Sequence, residues 1–189
     1  MTAAWRDDMR CFYTVDEFAA LPEDNSMRFE LLNGCMVASP RPLMPHMVVI
    51  AELYVQLKPQ LPDGMLAVTE IDLDLQLTRP VVRIPDLVIL DVRAVRKPGI
   101  VKAEDVLLAV EVLLPSSVRT DTKIKPLQYA DAGIPNLWVV GLRPSVTVTV
   151  HRLVNGNYEK SQHAEHALLA HDPCELRVDL DSLLPAMFR

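Results

Sequence analysis

Asp86 and Glu111 are single carboxylates set inside apolar runs, "RIPDLVIL" (residues 83–90) and "DVLLAVEVLLP" (residues 105–115), and Lys125 follows in "RTDTKIKP". Moving even a neutral polar group out of water without a partner costs roughly 2 to 7 kcal/mol, so acids in such surroundings need a cation or a metal. Two carboxylates from neighbouring strands, with a backbone carbonyl and waters, suit Mg2+ or Mn2+, which favour oxygen ligands. Such an ion lowers the pKa of a bound water and draws charge from a phosphodiester, and a nearby lysine can orient that water or steady the developing negative charge. The residue types point to phosphate chemistry.

Each residue also has a plainer reading. Asp86 follows Pro85 and is placed to open a strand with its side chain in water, and Glu111 can point out of a half-exposed strand or pair with a buried arginine. Apolar residues of both parities flank Glu111, however, as expected for a strand covered on both faces, whereas an exposed strand alternates. Lys125, taken alone, reads as a solvated cation near a helix start.

The elements around these residues follow from local signals. "YTVDEFAALPED" predicts a helix opening at Thr14 with a capping box to Glu17 and a stop at Pro22. Asn33-Gly34 between two short apolar segments predicts a hairpin over residues 27–38. Val49, Leu53, Leu57 and Leu61 at fourfold spacing predict a helix over residues 45–61, fraying near Pro59. "VTEIDLDLQL" alternates strictly and predicts one continuous strand with a wet face. Pro126 beside Lys125 and the later Gly133 bracket a short helix in "PLQYADAG", with Asp121 capping the turn that presents Lys125. "NLWVVGL" and "SVTVTVHRL" read as strands able to offer an edge for self-pairing, hence a possible homodimer; "NGNY" reads as a turn and "ELRVDLDSLLP" as a final strand and short helix. The expected fold class is α/β of the mixed α+β kind, a central mixed sheet flanked by helices too few for a doubly wound sheet, in a single domain over residues 1–189.

Composition bounds the function. Half of the 189 residues are hydrophobic, which excludes general disorder. No apolar run reaches the ~18 residues of a membrane span and the N-terminus has no signal-peptide pattern, so a cytoplasmic protein is expected. Cys11, Cys35 and Cys174 are odd in number and widely spaced, which argues for packing residues over a disulfide framework or zinc site. The net charge of −6 disfavours a nucleic-acid binder. The segment from Arg79 to Lys125 nevertheless holds nine basic against six acidic residues, which suits a locally positive face and a solvated loop equally well.

The chain resembles the Uma-type restriction-endonuclease family of the PD-(D/E)XK nuclease superfamily, through "FELLNG", "IPDLVIL", "AVEVLLPSS", "RTDTKIKPLQYADAGIPNLWVV" and "VDLDSLL", in that order. The resemblance implies a restriction-endonuclease-like fold, DNA as substrate, Mg2+ or Mn2+ as cofactor, and Asp86 and Glu111 as metal carboxylates. Leu113 occupies the superfamily's usual lysine position, and the D-x-x-x-K element, Asp121 and Lys125, is implied to supply that lysine instead. Glu30 matches a further acid implied to complete the metal and catalytic set, and His46 matches a recurrent histidine. Cys35 and Leu114 depart from the family pattern. Independently of the resemblance, Glu30 reads equally as a strand glutamate paired with Arg28 or a lysine, and His46 as a helix-end hydrogen-bonding residue. The expectation is a metal-dependent endonuclease hydrolysing phosphodiester bonds in DNA. Its rivals are a catalytically inactive nuclease-fold binding or oligomerisation module, to which the acidic charge and scarce aromatics point, and a hydrolase of small phosphorylated molecules.

Overall fold

The computed structural model describes residues 12–22, 27–39, 42–113 and 120–185. Helix α1 (Val15–Ala19) opens at Thr14, where the predicted capping box with Glu17 is formed. Strands β1 (Arg28–Leu32) and β2 (Cys35–Ser39) make the predicted hairpin. Its turn residues Asn33 and Gly34 both have positive φ, 52° and 82°. Gly34 is tightly placed: its carbonyl accepts from the Phe12 and Tyr13 N–H groups, its N–H donates to Pro80, and an added Cβ would stand 3.3 Å from the Phe12 backbone. Gly34→Ala should therefore lower stability by about 1–2 kcal/mol, read as a shift in the denaturation midpoint at unchanged m value.

Helix α2 (Met44–Leu57) runs into a 3-10 turn over Lys58–Gln60, as the fourfold spacing and Pro59 predict. Strand β3 (Met65–Thr69) follows, but the predicted continuous strand over "VTEIDLDLQL" is broken. Glu70 and Gln76 take positive φ, 52° and 53°, and only β4 (Leu73–Asp74) stays extended between them. The facial pattern survives, with Leu73 and Leu75 buried. The chain here leaves one sheet for another, and a turn at each side makes the transfer.

Next come β5 (Val81–Arg83), β6 (Leu87–Asp91), β7 (Val101–Lys102) and β8 (Val106–Val112). A five-residue π-helical turn, Thr120–Ile124, then leads into α3 (Lys125–Asp131), which ends before Gly133 at φ 77°. Strands β9 (Asn136–Gly141), β10 (Thr147–Val154), β11 (Asn157–Ala164), β12 (Ala167–Ala170) and β13 (Leu176–Asp179) complete the order. After β13 the chain makes turns, not the short helix predicted there.

The large sheet has the order β11-β10-β9-β8-β6-β3 and the smaller β2-β1-β5-β4-β7, while β12 and β13 pair separately. Both larger sheets are mixed, because β8 runs parallel to β9 and β4 parallel to β7 among otherwise antiparallel neighbours. Strands β9 and β10 lie inside the large sheet, so the self-pairing edge expected from "NLWVVGL" and "SVTVTVHRL" does not exist; the edges are β3 and β11.

The large sheet is covered on both faces, which explains why apolar residues of both parities surround Glu111. Val49, Ile50, Leu53 and Leu57 of α2 pack against Leu87, Ile89, Leu108, Val110 and Trp138. On the other face Val88, Leu90 and Ala109 meet Tyr129, Ile134 and Leu73. Cys35 is disulfide-bonded and so is not the packing thiol expected of it; Cys174 is free, and Cys11 lies outside the described residues. Among the described residues no helix is long and apolar enough to cross a membrane.

Candidate active site

Antiparallel β6 and β8 pair Leu87 with Val110, and one step further along that register come Asp86 and Glu111. Residues directly opposite in an antiparallel pair project to the same side, so the two acids converge. Both are buried, as are Lys125, Asp121 and His46. The plainer reading of Asp86, a side chain in water at a strand start, does not hold.

Asp86 is held mainly through one oxygen. Its Oδ2 accepts from the Val112 N–H at 2.7 Å and lies 3.2 Å from His46 Nε2 in the first turns of α2. Its Oδ1 meets Arg28 Nη1 at 3.4 Å. Burial raises the Asp86 carboxyl, but the His46 hydrogen bond and charge, the Lys125 charge and the Val112 N–H outweigh it and leave the group below the usual range. Asp86 is ionised at neutral pH.

Glu111 has a different setting. Lys125 Nζ donates to Oε2 at 2.6 Å and the Tyr129 hydroxyl donates to Oε1 at 2.5 Å. Lys125 and Tyr129 are four residues apart on α3 and therefore share a face. Burial pushes the Glu111 carboxyl up to about 8, against the pull of Lys125 and with the help of the Asp86 and Asp121 charges. For Lys125 burial acts downward, yet Glu111, Asp121, Glu30 and Asp86 together raise it, so it is an ammonium. Asp121 Oδ1 is 3.2 Å from Lys125 Nζ. Asp121 lies in the π-helical turn that delivers Lys125, and it acts as a buried second anion to Lys125, not as the predicted cap of that turn.

Glu30 belongs to an adjoining network. Its Oε2 accepts from Arg83 Nη1 at 2.9 Å and its Oε1 from the Ile84 N–H at 3.1 Å. Gln128 of α3 accepts from Arg83 Nε and Nη2 at 2.9 and 2.7 Å. The partner of Glu30 is thus Arg83, not Arg28 or a lysine. Among the described residues no three His, Cys, Asp or Glu side chains are grouped so as to cage a metal ion. The structure brings together Asp86, Glu111, Lys125, Asp121 and His46, and sets Glu30 beside them, tied to its own arginine. Sequence reasoning missed Tyr129, Arg83 and Gln128. The i,i+4 step from Lys125 would have found Tyr129, but nothing local marks the other two.

Two convergent carboxylates and an ammonium held between two buried acids, Glu111 and Asp121, thus make one acidic cluster on a mixed sheet. Residues 15–181 match the Uma2 family, described as "Putative restriction endonuclease", and the chain belongs to that family. Among solved structures, a "putative nuclease belonging to DUF820" from Anabaena variabilis superposes with a TM-score of 0.64 at 20% identity, over 90% of this chain and 97% of that one. At that identity the likeness establishes the fold, in agreement with the α/β class expected from the element order. No curated protein matches the chain.

Proposed function

We propose that this protein is a Mg2+- or Mn2+-dependent endonuclease that hydrolyses phosphodiester bonds in DNA. The observation that carries the reading is the convergence of Asp86, Glu111 and Lys125 in one buried group. The donor chemistry fits a small hard ion held by Asp86 and Glu111 that keeps several waters, since Mg2+ is commonly bound by one or two carboxylates and not by an all-protein cage. When bound, the ion supplies Lewis-acid charge and an activated water.

The chain's own residues supply the rest. The Val112 N–H and His46 fix Asp86 through Oδ2, while its Oδ1 has only the longer contact to Arg28 Nη1 at 3.4 Å among the described residues. Lys125 can release Glu111 while keeping Asp121, because both anions lie within reach of its ammonium. From there Lys125 positions the attacking water or steadies charge on the phosphate. Glu30 contributes negative charge that favours the ammonium form of Lys125 and, through Arg83 and Gln128, braces α3 against the sheet.

Purified protein with Mg2+ or Mn2+ should nick or degrade plasmid DNA, and Asp86→Ala and Lys125→Ala should each reduce the rate at least a hundredfold, the scale on which removal of electrostatic or acid–base groups acts. Equal rates in all three proteins would eliminate the mechanism. One observation favours the inactive-module reading: each acid already rests on a cation of the chain, Asp86 on Arg28 and Glu111 on Lys125. Calorimetric titration separates the two, because the module takes up no Mn2+ at millimolar concentration.

A further inference from the structure

The basic side chains around the acids differ in depth. The side chains of His46 and Lys125 are 2% and 9% exposed, and that of Arg83, which serves Glu30, is 1% exposed. Arg28 is 19% exposed. It is the cation of this group that a polymer arriving from solvent meets first.

Its present bonds are uneven. Arg28 Nη2 donates to the Ile84 carbonyl at 3.1 Å. Nη1 is shared between Asp86 Oδ1 at 3.4 Å and Glu70 Oε1 at 3.5 Å, both longer than a well-made N–H···O bond. A guanidinium anchored at one corner, with its remaining donors loosely held, is suited to a phosphate, whose oxygens match its planar fork. The oxygen it covers, Asp86 Oδ1, is the one left free by Val112 and His46.

We propose that Arg28 takes the phosphodiester of the nucleic acid at the mouth of the site, giving up Asp86 Oδ1 as it does so. This rests on the nuclease reading above. Glu70, 44% exposed at the rim, holds the guanidinium until the substrate arrives and competes with phosphate for it.

The test is binding of a duplex oligonucleotide in Ca2+ buffer between about 50 and 200 mM NaCl, with Mn2+ titrated calorimetrically in parallel. Arg28→Gln should bind the duplex about tenfold or more weakly and lower the slope of log affinity against log salt by about one. It should bind Mn2+ more tightly, since a competitor for Asp86 is gone. Arg28→Lys should restore the slope but not the full affinity, because an ammonium cannot make the bidentate contact. Glu70→Gln should bind the duplex more tightly than wild type. An unchanged salt slope in Arg28→Gln, or weaker Mn2+ binding by it, overturns the assignment while leaving the nuclease reading intact. Should Arg28→Gln fail to fold, duplex affinity unchanged in Glu70→Gln overturns it instead. A wild-type protein that binds neither Mn2+ nor duplex removes the nuclease reading and this assignment together.

Discussion

Lys125→Met should cost about 3–5 kcal/mol of folding stability at pH 9, the range for removing one partner of a buried ion pair, and much less at pH 5. The ammonium sits 2.6 Å from Glu111 and 3.2 Å from Asp121, and all three side chains are enclosed. Without it, Glu111 keeps, among the described residues, only the Tyr129 hydroxyl as a donor, and its carboxyl moves above the value of about 8 that it has beside the ammonium. The sign of the pH dependence follows from linkage. A carboxyl whose folded pKa exceeds its unfolded value near 4.5 binds more protons in the native state, so stability falls as pH rises from that unfolded value to the folded one. In the wild type this fall ends near pH 8; in Lys125→Met it continues further, and the gap between the two proteins widens with pH. Urea denaturation at pH 5, 7 and 9 measures it. Adding Glu111→Gln to Lys125→Met should recover most of the loss at pH 9, since a neutral amide replaces the stranded charge. A gap that does not change with pH would mean that Lys125 acts through packing and not through its charge.

The acids were legible in the sequence because burial leaves a pattern: apolar residues of both parities around Glu111 require two covered faces, and the α2 and α3 layers provide them. That Lys125 would reach them was not contained in its local surroundings and came from the resemblance. Tyr129 was accessible through helical spacing, whereas Arg83, Gln128 and Arg28 were not, because they act across 45 to 58 residues of chain and no periodicity records such pairings. Alternation over "VTEIDLDLQL" identified the buried face correctly but concealed the breaks at Glu70 and Gln76, where ordinary side chains adopt positive φ without the glycine that usually marks it. One of those breaks places Glu70 beside Arg28. The departure from the regular strand thus falls at the rim of the site.

On the proposed site, divalent-metal affinity should climb about tenfold per pH unit well below pH 8 and level off above it, because Glu111 would have to be a carboxylate to hold the ion and its carboxyl lies near 8. Asp86 cannot produce this profile, since its carboxyl lies below the ordinary range and is ionised throughout. Between pH 6 and 8 the expected gain is about fiftyfold, with close to one proton released per ion at pH 6, read by calorimetry in buffers of different ionisation enthalpy. Cleavage at subsaturating Mg2+ should follow the same curve. Tyr129→Phe separates this origin from a general effect of pH on the protein: the hydroxyl donates to Glu111 Oε1, and a donor of that kind favours the ionised carboxyl, so its removal should move the rise to higher pH while leaving the affinity plateau in place. A metal affinity flat from pH 6 to 8 would exclude Glu111 as a ligand, and an unshifted rise in Tyr129→Phe would assign the titration to another group.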